Sequence, residues 1–286
     1  MKIVAAILAL FVLTMPSTAR AADTAVRVVR DIAYLPDAHY ADNKDKLDLY
    51  LPEGRTSVPV IVSYYGGALT AGDKNQQTFI GQRFAAAGFA TAVVNYRLSP
   101  GVMHPAHVQD AAASFAWVKR HIAEYGGNPD QVFVIGHSAG AYLVALLATD
   151  SQYLAAHQLS LRDIRGAVPV SAFYWVERTG VAPDRDKSVW GTDKSVWADA
   201  SPAHHLRKDA PPMLVLYADG DEAWRRQQNV EMVQVLKATG AAHVDLAQIA
   251  GRTHNSIWSK VAEPNDEAAE RIIQFVRMHI ALRASQ

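Results

Sequence analysis

Val132-Phe133-Val134-Ile135-Gly136-His137-Ser138-Ala139-Gly140-Ala141-Tyr142 decides the fold of this chain. Four consecutive apolar residues lead into a G-x-S-x-G sequence, and a helical run from Tyr142 to Ala148 follows at once. The bare motif has little weight, because three fixed positions of common residue types arise by chance in roughly one chain in ten of this length. Its position carries the meaning. A strand before it and a helix after it predict a tight strand-to-helix turn with the serine at the apex. Such a serine holds strained backbone angles, and the glycines two before and two after make room where a Cβ would collide. Ser138 Oγ is then expected to stand clear of the sheet as a nucleophile. The N–H of Ala139 opens the helix, setting a donor and the positive end of the helix dipole beside the reacting carbon.

Outward from this turn, short β-type runs alternate with helical patterns, the order of an α/β fold with a mostly parallel central sheet flanked by helices. Strands are expected at Val58 to Tyr64, Ala90 to Asn95, Val132 to Gly136, Gly166 to Ser171, Met213 to Ala218 and Val244 to Ile249. They are apolar at consecutive positions, so both faces of the sheet should be covered. Helices are expected near Gln77 to Ala87, Pro105 to Tyr125, Ala139 to Thr149, Glu222 to Thr239 and Asp266 to Ala284. Val26 to Ala33 and Lys46 to Leu51 read as an antiparallel lead-in. The stretch from about 173 to 208 breaks the rhythm and reads as a cap insertion over the carboxyl edge of the sheet. It holds a duplication, Asp186-Lys187-Ser188-Val189-Trp190 and then Asp193-Lys194-Ser195-Val196-Trp197. The seven-residue spacing would put both Val-Trp pairs near one helical face, either as a wall over a pocket or as packing that holds the cap down.

The whole chain has 286 residues, 50% hydrophobic and 20% charged, a size and balance that suit one α/β domain. Lys plus Arg and Asp plus Glu number 28 each. With no net charge there is no broad cationic footprint, and a nucleic-acid partner is not expected. Cysteine is absent, which excludes disulfides, thiolate metal sites and a cysteine nucleophile. Lys2, the apolar run Ile3 to Leu13 and the small residues up to Ala22 read as a signal peptide, residues 1–21, cut after Ala21. As a helix that run spans about 17 Å, against a hydrocarbon core of roughly 30 Å, so no stable membrane anchor is expected. The mature domain, 22–286, is expected to be exported, to the periplasm or beyond.

A serine hydroxyl needs a base to take its proton, and the base needs a carboxylate to fix its tautomer. In a fold with this turn the chain order is serine, acid, histidine. His254 follows the last strand in the loop Gly251-Arg252-Thr253-His254-Asn255 and is the expected base. His243 opens the same strand at the wrong end, and His279 lies within the last helix. The acid should follow Met213 to Ala218, where Asp219, Asp221 and Glu222 crowd one loop. Counting along the strand cannot choose among them, because a shift of one residue reverses the direction of every side chain.

With these residues in hand, the chain resembles the α/β-hydrolase superfamily, in particular the carboxylesterases around hormone-sensitive lipase and the kynurenine-formamidase-like bacterial esterases. The resemblance spans nearly the whole mature chain. It is carried by Tyr65-Gly66-Gly67-Ala68-Leu69 with Gly72-Asp73-Lys74, by Tyr96-Arg97-Leu98-Ser99-Pro100, by His104-Pro105, by Gly127-Asn128-Pro129-Asp130 and by the Ser138 turn. In that family nine residues separate a proline from the catalytic aspartate, and nine from Pro212 is Asp221. The resemblance therefore implies Asp221 rather than Asp219 as the acid, the other being expected to cap the following helix. It also implies an oxyanion hole from the N–H groups of Gly67 and Ala68 beside Ala139. The family loop reads His-Gly-Gly-Gly-Trp, so Tyr65 replaces the histidine, Ala68 the third glycine and Leu69 the tryptophan. If that third position needs a positive φ, Ala68 carries strain of about 1 kcal/mol, and Tyr65 must hold the loop by another hydrogen bond. Arg97 and Asp110 match family positions as structural partners.

The chain lacks His-Glu-x-x-His, Gly-x-Gly-x-x-Gly and Walker sequences, so neither a metal nor a cofactor is expected. His104 and His107 lack a third ligand and read as satisfied histidines. The expected function is a serine carboxylesterase acting on small to medium esters through an acyl-enzyme. An amidase or arylformamidase on the same scaffold is the alternative, and a non-catalytic binding protein the more distant one.

Overall fold

The computed structural model describes residues 25–35, 40, 42–179 and 183–284. The leader read at residues 1–21 lies outside them. Among the described residues eight strands form one sheet. They are β1 (Val26–Ala33), β2 (Lys46–Pro52), β3 (Val58–Tyr64), β4 (Ala90–Val94), β5 (Gly127–His137), β6 (Gly166–Val170), β7 (Met213–Gly220) and β8 (Val244–Thr253). Their order in space is β1-β2-β4-β3-β5-β6-β7-β8. β2 pairs antiparallel with both β1 and β4, and every other pairing is parallel. β5 starts ahead of Val132 because Val58 pairs with Gly127 before the main register resumes at Val60 and Val132.

The connections carry α1 (Thr78–Ala86), α2 (Ala106–His121), α3 (Ala139–Thr149), α4 (Ser151–Ala155), α5 (Pro183–Trp190), α6 (Lys194–Asp199), α7 (Ala223–Ala238), α8 (Ser256–Ser259) and α9 (Glu267–Ala284). The side chains of β3 alternate between two cores. Val60 and Val62 pack with Phe115 of α2, Leu143 of α3 and Met232 of α7, and Ile61 packs with Phe84 of α1 and Ile272 of α9. Each such burial stabilises by roughly 1.5–3 kcal/mol, which explains strands that are apolar at every position rather than every second one.

β4 and β5 lie on opposite sides of β3, so the strand order reverses there. Sheets of this kind bind ligands in the crevice beyond the carboxyl ends of the strands at that reversal. Tyr64 and Gly136 are level in the register. The loop after Tyr64 and the turn after Gly136 therefore emerge side by side.

The segment 173–208 leaves the carboxyl end of β6 and returns to the start of β7. Its duplicated halves do not form one helix: α5 ends at Trp190, and Asp193 caps a separate α6 by accepting from the Ser195 N–H. Trp190 is buried edge-on against Tyr142 and Phe173, with Trp197 half-buried 6.3 Å away. Trp190 holds the segment onto α3, and Trp197 packs on Trp190 and donates to Gly191 O within the segment. None of its described residues lines the cavity beside Ser138. Among the described residues no helix is long and apolar enough to cross a membrane.

Candidate active site

Ser138 joins β5 to α3 with φ 54° and ψ −114°, a strained conformation that costs on the order of 1–3 kcal/mol and persists only where the surroundings over-determine it. Here they do. A Cβ on Gly136 would lie 2.5 Å from the Gly140 carbonyl carbon, and one on Gly140 2.1 Å from Tyr64 O, so no side chain fits at either.

Ser138 Oγ–H donates to His254 Nε2 at 2.9 Å, and His254 Nδ1–H donates to Asp221 Oδ1 at 2.6 Å. An ionised carboxylate only accepts, so Asp221 fixes the proton on Nδ1 and leaves Nε2 free to receive one. The Asp221 side chain is fully buried. Burial pushes its carboxyl pKa up, but hydrogen bonds from His254, Ser171 Oγ (2.6 Å) and the Ala218 N–H (2.9 Å) outweigh burial and hold it below the ordinary value. The group facing the imidazole is thus an anion.

Asp219 points elsewhere. It accepts from the N–H groups of Gly251 (2.8 Å) and Arg252 (3.0 Å), and it does not cap α7 as expected of the second acid. The cap residue there is Glu222, whose side chain makes no capping bond. The reason lies in the register. Ala218 is level with Ile249, and continuing that pairing would set Asp221 beside Arg252. A bulge intervenes, Gly220 is level with Thr253 instead, and Asp221 meets His254. Asp219 binds the extra residues of that bulge.

In the loop after β3, Gly67, Ala68 and Leu69 have φ 126°, 57° and 62°, so Ala68 does take the positive φ considered from the sequence. The Gly67 and Ala68 N–H groups have no acceptor among the described residues, and both residues line the cavity with Ser138. Ala139, the third expected donor, is the first residue of α3. Tyr65 holds the loop with Tyr96: Tyr65 OH donates to Tyr96 O (3.3 Å), Tyr96 OH donates to Tyr65 O (2.7 Å), and the rings stack at 4.4 Å. Behind the loop, buried Lys74 bridges Asp31 and Asp48 at 2.7 Å each. Arg97 forks onto Asp110 through Nε and Nη2 as a structural pair, and neither residue lines the cavity that Ser138 lines.

His104 faces Asp199 and His107 faces Ser99 Oγ, so the two histidines do not converge. Ligand atoms of Asp221, Glu222 and His254 lie within 4.8 Å of one another. Both nitrogens of His254 are hydrogen bonded along the Ser138-His254-Asp221 line, and the second oxygen of Asp221 accepts from Ser171 Oγ and the Ala218 N–H.

Three contributors gave no sequence signal. Ser171 supports Asp221 from the end of β6, and His137 Nε2–H donates to the backbone carbonyl of His254 at 2.7 Å. Trp258 stacks on His137. The His137 partner is a carbonyl 117 residues away, and a backbone acceptor leaves no residue type to read.

A cavity of about 500 Å³ opens beside Ser138. Gly67 and Ala68 form one wall, Phe79 and Trp258 give it aromatic surface, and Gln76 and Asn255 give it uncharged polar groups.

This architecture is the α/β-hydrolase fold, with Ser138, His254 and Asp221 hydrogen bonded in a triad arrangement at the carboxyl edge of its sheet. Solved structures agree on the fold. A truncated carbohydrate esterase from gut microbiota superposes with a TM-score of 0.77 at 20% identity, covering 90% of this chain and 97% of that one. Esterase B from Lactobacillus rhamnosis gives 0.75 at 22%, covering 93% and 88%. The chain belongs to the BD-FAE family, whose sequence profile matches residues 47–236. It is similar to the probable carboxylic ester hydrolase LipM of Mycobacterium tuberculosis, 30% identical over 248 residues that cover 80% of this chain and 58% of the relative. Esterase LipQ of the same organism is 29% identical over 241 residues, covering 78% and 56%. The chain thus spans little more than half the length of these curated relatives.

Proposed function

We propose that this protein hydrolyses carboxylic esters through a serine acyl-enzyme. The observation that carries the reading is the Ser138-His254-Asp221 line, with bonds of 2.9 and 2.6 Å at the carboxyl edge of the sheet. In the first step His254 Nε2 takes the proton from Ser138 Oγ as the oxygen attacks the ester carbonyl. Asp221 steadies the imidazolium that forms, and the N–H groups of Gly67, Ala68 and Ala139 receive the oxyanion. His254 then protonates the departing alcohol. Water, activated by the same imidazole, attacks the acyl-enzyme and releases the acid. The names of LipM and LipQ support ester hydrolysis as the reaction. The cavity volume and its uncharged polar and aromatic walls suit small to medium neutral esters. The same reading takes residues 1–21 as a cleaved export leader. Fusing that leader to a reporter enzyme that works only outside the cytoplasm tests it, and a silent fusion rejects export.

A p-nitrophenyl ester series from acetate to palmitate, run beside an amide and N-formylkynurenine, tests the reaction. Turnover should peak among the shorter acyl chains and fall by at least about 10⁴ in Ser138→Ala, with the melting temperature kept. Fluorophosphonate should label the Ser138 peptide alone. Activity surviving the substitution, or label on another serine, rejects the mechanism, and faster turnover of the formamide than of every ester rejects the substrate class.

A further inference from the structure

We propose that His137, the residue immediately before the nucleophile, is a positioning residue that aims His254 by tethering its backbone carbonyl. The inference rests on the catalytic reading of Ser138, His254 and Asp221 given above.

His137 is buried. Its Nε2–H donates to His254 O at 2.7 Å, and its ring lies 4.8 Å from the His254 ring. On another side it stacks on the Trp258 indole, with 5.7 Å between centroids and 12° between planes. Trp258 is itself held by Nε1–H donating to Gln77 Oε1 at 2.6 Å. Gly66 closes a further side: a Cβ there would sit 3.0 Å from His137 Nδ1 and 3.1 Å from Ser138 Cβ. One imidazole therefore touches the loop of Gly67 and Ala68, adjoins the nucleophile in the chain, and bonds the residue that bears the base.

The carbonyl only accepts, so Nε2 carries the proton and the tautomer of His137 is set. Burial pushes its pKa down to about 3, so the ring stays neutral and adds no second positive charge beside the imidazolium formed on His254. The tether has a clear mechanical task. His254 follows the bulged end of β8, and the Asp219 bonds stop at Arg252, two residues short of it. A displacement of the base by about 1 Å is enough to cost about 10²-fold in rate, because the serine proton must be met in line.

Three variants separate reach from bulk. His137→Gln places an amide N–H near the position of Nε2. His137→Asn carries the same amide one methylene short, and His137→Phe keeps the ring and its stacking but has no donor. Each is assayed below its own melting temperature, for kcat and KM on one short ester and for the rate at which fluorophosphonate labels Ser138. Asn and Phe should lose about 10- to 100-fold in both kcat and labelling rate with KM within about threefold, and Gln should recover to within about fivefold of the parent. If Phe does not fold, Asn and Gln, identical in chemistry, carry the comparison. Asn and Phe variants that label as fast as the parent overturn the proposal, as does a Gln variant no faster than Asn. A parent protein whose Ser138 takes no label overturns the catalytic reading itself, and this inference with it.

Discussion

Residue by residue, the loop after β3 shows how conformation and chemistry are traded. Gly67 has φ 126°, and a Cβ on it would sit 2.1 Å from Ala71 O, whereas Ala68 holds φ 57° with its methyl already in place. The neighbours should respond in opposite ways. Gly67→Ala must push the turn out of shape and is expected to lower kcat by about 10² to 10³, the cost of a displaced oxyanion donor. Ala68→Gly keeps its N–H and relieves an αL strain of about 1 kcal/mol, so kcat should stay within about tenfold and the urea midpoint should not fall by more than the added chain entropy. Initial rates and urea melts on both variants check this, and equal damage from the two would sink the oxyanion assignment. Proline at Ala68 is a poor probe of the donor, because its ring requires φ near −65° and cannot follow a backbone at 57°.

At the scale of the element, the bulge between β7 and β8 decides which carboxylate meets His254. The sequence alone left Asp219, Asp221 and Glu222 open, and the family count from Pro212 pointed to Asp221. The two aspartates have separable tasks: Asp221 receives the imidazole, and Asp219 binds the Gly251 and Arg252 N–H groups that shift the register. Asp221→Asn should lower kcat by about 10⁴ through the wrong imidazole tautomer with the fold intact. Asp219→Ala should lower kcat by about 10- to 100-fold and also lower the melting temperature, because His254 is then carried by a looser strand end. Measuring kcat and melting curves on both variants decides the matter; a reversed ranking would mean that Asp219 acts as the acid. The duplicated Val-Trp segment teaches a related lesson, since its seven-residue spacing suggested one helical face, yet the chain breaks after Trp190 and caps a second helix with Asp193.

For the molecule as a whole, buried histidines set how stability depends on pH. Burial pushes His107 and His137 down to about 3, and His104 also lies below its ordinary value because of burial. For His107 and His137 the unfolded chain takes up a proton near pH 6.5 and the native state only near pH 3, so stability falls as pH drops through that window, by about 1.4 kcal/mol per pH unit for each of these two, and the lowered His104 acts in the same direction. Below the ordinary carboxylate range Asp221 adds to the loss, since its native pKa is depressed and the stability it contributes disappears on protonation. Urea unfolding from pH 7.5 to 4.5 should show this slope, and His107→Gln should remove about one proton from it; an unchanged slope would mean that His107 is charged in the native state. The order of strands and helices, the elbow serine and the histidine after the last strand were legible because hydrophobic period, glycine spacing and chain order are properties of the linear chain. Even the antiparallel lead-in of β1 and β2 could be read that way. The packing of the tryptophans in 173–208, the Tyr65-Tyr96 clasp, the choice of Asp221 and the tether from His137 to His254 O were decided only by the tertiary structure. Each depends on register or on a backbone partner far along the chain, and neither leaves a mark on residue type.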